Sequence, residues 1–114
     1  LNEAALNFIE KRIFRRLNAE IPVDVEMEHK TIHTTTSNIC CGGMFLKVDP
    51  TQIAGKRRSF ELVVHLPNHK SPVRLIAEVQ RKEKGIRHGV AVKFEGLYND
   101  NILAIEKFVK SNLN

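Results

Sequence analysis

Apolar and polar residues alternate along most of this chain, which is the period of a strand buried on one face. Ile21, Val23, Val25 and Met27 set the first alternation. Pro22 is compatible with it, because proline is tolerated at the first residues of a strand or at an edge. TIHTTTS, residues 31–37, is rich in β-formers, and Met44, Leu46 and Val48 alternate after Gly42 and Gly43. Two strands joined by a glycine-bearing turn are predicted there. DPTQIAGKRR, residues 49–58, reads as a connection with a helical turn. Phe60, Leu62, Val64 and Leu66 then alternate as far as the loop PNHKSP, residues 67–72. VRLIAEVQRK and GVAVKFEGL, joined by EKGIRH, supply two more strands in a hairpin meander, about six in all.

The period changes at the two ends. Leu6, Ile9 and Ile13 recur at helical spacing, so residues 2–11 or so are expected to form a short amphipathic helix, an arm or lid. Ile102, Ile105 and Val109 share a helical face, with Phe108 and Leu113 nearby and Asn99 or Asp100 as cap. Short, evenly spaced strands followed by one helix predict a mainly β fold: a small antiparallel six-stranded barrel with a C-terminal helix packed on it. The expected division is an N-terminal helix and basic arm over residues 1–18 and the barrel with its helix over residues 19–114.

Composition adds class. A chain of 114 residues hides roughly 65% of its unfolded surface and can hold a core without staples. Its 42% hydrophobic and 27% charged content is that of a folded globular domain. No apolar run approaches a membrane span, and no secretory leader is recognisable, so the cytoplasm is the expected compartment. Leu1 stands where a natural start would have Met, so a neighbouring domain in a longer protein is expected.

The chemistry-bearing residues exclude more than they assign. Cys40 and Cys41 are adjacent and cannot staple distant segments, which fits a reducing compartment. His29, His33, His65, His69 and His88 are scattered without zinc-site spacing, and His65 and His69 flank a Pro-Asn turn. His33, seven residues before Cys40, is a candidate base for it across a hairpin, but no Asp or Asn is forced to orient the pair. The thiols read as small buried side chains, with no enzyme activity and no cofactor expected. The net charge of +5 favours an anionic partner. KRIFRR, residues 11–16, concentrates four cations, and the guanidinium forks of Arg12 and Arg16 suit phosphate and the O6 and N7 edge of guanine.

Arg12-x-x-x-Arg16, then a strand, then Asn38-x-Cys40-x-x-Gly43 and an apolar strand, resembles the PilZ domain, the bacterial receptor module for cyclic di-GMP. That family's pattern is RxxxR followed by (D/N)xSxxG, and the likeness runs from about Glu10 through the closing hairpin to the terminal helix. The resemblance implies that Arg12 and Arg16 grip phosphate and guanine and that Asn38 hydrogen-bonds guanine. Gly42 and Gly43 would line the site, Gly43 letting the backbone approach the ligand. Lys11, just before the first arginine, implies a stacked pair of ligand molecules, with a single one as the alternative. Cys40 occupies the serine position, and a thiol is a weak hydrogen-bonding group. The implied mechanism is conformational: the arm wraps over the ligand and signals to a partner domain or protein.

Two other readings compete. One is an adaptor of the same fold whose nucleotide site has decayed, acting by protein interaction in pilus or motility control. The other is a basic barrel binding single-stranded nucleic acid. Aromatic residues are 6% with no Trp, and Phe14, Phe45 and Phe94 read as core residues, which leaves that barrel without a stacking platform.

Overall fold

The structure is a computed structural model and describes residues 16–53, 59–96 and 100–113. Six strands form in the predicted order: β1 Pro22–Glu26, β2 Thr31–Cys40, β3 Gly43–Leu46, β4 Ser59–Val64, β5 Val73–Glu83 and β6 Gly89–Phe94. All neighbours pair antiparallel in the ring β1-β2-β3-β6-β5-β4, and β1 pairs with β4 to close the barrel. Closure leaves no unpaired edge, the usual hazard of a small sheet. Residues 1–15, which carry the expected N-terminal helix, Lys11 and Arg12, lie outside the described residues.

The alternation decides which face turns inward. Val23 and Val25 of β1, Met44 and Leu46 of β3, Leu62 and Val64 of β4, Leu75 and Ala77 of β5, and Val90 and Val92 of β6 fill the interior. Burying each large aliphatic side chain contributes roughly 1.5–3 kcal/mol. One helix, α1 Asp100–Asn112, follows with Ile102, Ile105 and Val109 buried, as its spacing predicts. It packs against β2 and β5, which stand opposite each other in the ring, so it lies across one end of the barrel. Asp100 in its first turn and Lys110 in its last complement the helix dipole.

Two differences from the expectations have local causes, and the expected helical turn takes a short form. β2 runs on through Asn38 to Cys40, so the turn is only Cys41 and Gly42; the ladder with β3 continues by a register shift between Thr36 and Asn38. The helical turn after Asp49 is a three-residue 3-10 segment, Pro50–Gln52, whose Thr51 N–H donates to the Asp49 carboxylate at 2.9 Å. Phe94 is a core residue as expected, whereas Phe45 is buried on the outer face of the sheet, apart from the interior cluster. With Met44 and Leu46 pointing in, strand alternation turns Phe45 out.

Candidate functional site

The segment leading into β1 continues the β1–β2 ladder. Leu17 and Ile39 exchange two backbone hydrogen bonds of 2.8 and 2.9 Å, and the Thr36 N–H donates to the Ile21 carbonyl at 3.0 Å. Thr36 is fully buried; its hydroxyl donates to the Ala19 carbonyl at 2.6 Å and accepts from the Ile21 N–H at 3.0 Å. One threonine of the TTT run is therefore a clasp that fixes residues 17–21 along β2.

The clasp delivers Arg16 to the outer face of β2. Its guanidinium donates from Nη1 to the Asn38 carboxamide oxygen at 3.0 Å. Asn38 is buried, and Arg16 is exposed. Among the described residues no carboxylate pairs with Arg16, and its charge is oriented by a neutral group. That is the state expected of an arginine reserved for an anion.

Arg16, Cys40, Gly42 and Gly43 line one depression of about 480 Å3. Five predicted site residues thus meet: four line this depression, and Asn38 holds one of them. Gly43 has a reason of its own. A β-carbon there would lie 2.2 Å from the Val92 carbonyl oxygen of β6, so the tight approach that demands glycine is made by the neighbouring strand. The missing β-carbon thus makes room for the neighbouring strand, while Gly43 itself still lines the depression.

The far wall comes from Gln80 and Arg81 of β5 and from Lys93 of β6. Arg81 Nε lies 3.1 Å from the Glu83 carboxylate, while Lys93 has no carboxylate partner among the described residues. Spacing along the chain gives no sign of these residues, because they reach the site only through the β3–β6 pairing, which is not sequential. The usable signal was weaker: both cations sit at polar positions of strands that otherwise read apolar.

The two thiols differ. Cys40 is half-buried at the depression, and Cys41 is buried in the turn, where desolvation first, then the neighbouring Cys40 and Glu106, pushes its thiol up to about 11. A thiol held protonated at neutral pH is a poor nucleophile. His33 cannot serve Cys40: both ride β2, seven residues or about 23 Å of extended chain apart. His33 Nδ1 instead lies 2.6 Å from Asp24, whose other oxygen is 2.9 Å from His65 Nε2, and those contacts, His65's first, hold the Asp24 carboxyl below its ordinary range. His69 bonds the Ser71 carbonyl. No group of three metal-ligating side chains gathers among the described residues.

The sequence profile of the PilZ domain family matches residues 10–111. Nothing among the curated proteins matches the chain. Solved structures share the fold at low identity. The inhibitor of motility MotI/DgrA of Bacillus subtilis superposes with a TM-score of 0.71 at 17% identity, over 86% of this chain and 48% of that one. The PilZ domain of YcgR from Escherichia coli, solved with c-di-GMP, gives 0.64 at 13% identity, over 87% and 88% of the two chains. The PilZ domain of CeSA from a cellulose-synthesising bacterium gives 0.53 at 19%, over 86% and 94%. The chain thus spans about half the length of the MotI chain.

Proposed function

This chain belongs to the PilZ domain family, and on that premise we propose that it is a receptor for cyclic di-GMP, with Arg16 and Asn38 at the centre of its site. One observation carries the reading: two groups 22 residues apart, each from one half of the family's motif, form a 3.0 Å hydrogen bond at the edge of a depression ringed by further cations. A cyclic dinucleotide presents two phosphates and two planar bases. Arg16, Arg81 and Lys93 supply charge for the phosphates, and the Asn38 carboxamide supplies donors and an acceptor for a guanine edge. Arg12 and Lys11, carried by the arm, complete the cation set in this reading.

No covalent chemistry is asked of the protein. Occupancy acts by wrapping the N-terminal arm over the ligand, and the driving free energy is the difference between the arginines' contacts in the bound and empty states. The wrapped arm is then the surface that a partner domain or protein reads. The likeness to YcgR solved with c-di-GMP supports the ligand class, and that to an inhibitor of motility supports an output in motility.

Titration calorimetry tests the ligand class, with GTP and a short RNA as controls. The expected result is heat with cyclic di-GMP alone. Absence of heat with cyclic di-GMP overturns the receptor reading and leaves the adaptor of the same fold, while heat with RNA alone favours the nucleic-acid barrel.

A further inference from the structure

On the other side of Asn38 from the Arg16 depression lies a second one, of about 530 Å3, which none of the motif residues except Asn38 lines. Its size falls within the roughly 300–1,000 Å3 of small-molecule sites. Phe45 lies at its base, opposite Asn38 on β2 and Ala91 on β6. The ring is fixed: a β-carbon on Gly89 would meet it at 2.5 Å, so the aromatic edge occupies the space that any other residue at 89 would need.

Over this ring sits Arg87, from the connection between β5 and β6, its guanidinium carbon 4.6 Å from the ring centroid. Among the described residues no carboxylate pairs with Arg87. The same depression holds the Ser37 hydroxyl, which is buried and has no hydrogen-bond partner among the described residues. It stands in β2 where the register with β3 shifts, between Thr36 and Asn38. An unsatisfied buried hydroxyl costs free energy in the empty protein, so a group that arrives from outside to pair with it gains correspondingly.

A planar cation already laid against an aromatic ring, a free hydroxyl and the Asn38 carboxamide form a surface suited to a planar heterocycle with donors and acceptors on its edge. We propose that Arg87, laid against Phe45 on one side, is a further guanidinium of the ligand site and stacks its other, outward face on a purine base of the cyclic dinucleotide, which Asn38 and Ser37 hydrogen-bond. This rests on the cyclic di-GMP reading. The phosphates then face Arg16, Arg81 and Lys93 in the first depression, and the Arg16–Asn38 pair marks the divide between phosphate and base.

Calorimetric titration of cyclic di-GMP into the parent, Arg16→Ala, Arg87→Ala, Arg87→Lys and Ser37→Ala, together with the melting temperature of each unliganded protein, tests it. Loss of a stacked cation is expected to weaken Arg87→Ala about tenfold with the melting temperature unchanged, because the side chain is exposed. Arg87→Lys recovers little of this, since an ammonium keeps the charge and loses the plane. Ser37→Ala binds more weakly yet melts no lower than the parent, which a purely structural serine would not do. The proposal is overturned if Arg87→Ala binds within twofold of the parent while Arg16→Ala loses binding, or if Arg87→Lys restores affinity fully. A parent that binds no cyclic di-GMP overturns it together with the receptor reading.

Discussion

The Thr36 hydroxyl donates to the Ala19 carbonyl oxygen at 2.6 Å, and this bond, with its partner from the Ile21 N–H at 3.0 Å, ties the arginine-bearing segment to the barrel. Thr36→Val keeps the shape and removes the hydroxyl, leaving a backbone donor and acceptor unpaired. A loss of roughly 1–3 kcal/mol in folding free energy is expected from denaturant titration. Affinity for cyclic di-GMP should fall as well, because Arg16 loses its anchorage. A variant that is destabilised but binds as the parent does would show that Arg16 is positioned by other contacts.

Gly43 tests the barrel itself. Gly43→Ala places a methyl group against the Val92 carbonyl, and the β3–β6 ladder must open to accept it. The expected cost is roughly 1–3 kcal/mol, read as a lower denaturation midpoint at an unchanged denaturant slope. An unchanged midpoint would mean that β6 yields freely at this point.

The two cysteines should separate in a thiol-labelling experiment. Half-buried Cys40 reacts with a maleimide in the native protein, whereas Cys41, buried and with its thiol pushed up to about 11, reacts only on unfolding. Peptide mass spectrometry assigns the label. Saturating cyclic di-GMP should protect Cys40, and Cys40→Ser should bind about fivefold more tightly by restoring a hydrogen bond of ~1 kcal/mol. Equal affinity would remove the Cys40 side chain from the site.

Acid stability reports on the cross-strand group at Asp24. Its carboxyl is held below the ordinary aspartate range by hydrogen bonds, first from His65 and then from His33. The folded state thus binds fewer protons than the unfolded one around that range. The resulting stability is present above the unfolded pKa and is lost as pH falls through the folded one. Asp24→Asn should therefore flatten the acid limb of the stability profile, followed by circular dichroism between about pH 5 and 2. An acid limb identical to the parent's would assign the loss to other carboxylates.

Much of the fold is legible in the sequence because a closed barrel makes one demand of every strand, that alternate residues be apolar. Val23, Leu62, Leu75 and Val90 each satisfy it in the local sequence. The bulges were not legible: a register shift between Thr36 and Asn38 leaves no mark in the pattern of apolar residues, yet it puts Ser37 and Asn38 where they are. Phe45 is buried as it reads, but its outward direction was not legible for a related reason, since a large aromatic residue next to Met44 and Leu46 reads as core whichever way it points. Arg16 and Asn38 were legible as members of a motif. Arg81, Lys93 and Arg87 were not, because the pairing of β3 with β6 brings them in from positions roughly 40 to 50 residues further along the chain.

The most direct test of the central claim is amide chemical-shift mapping of the isotope-labelled protein during titration with cyclic di-GMP. The account predicts that the perturbed amides cluster at residues 16–18 and 37–43 and on the facing parts of β5 and β6. Shifts confined instead to the opposite face around Asp24, His33 and His65, or no shifts at all, would contradict it.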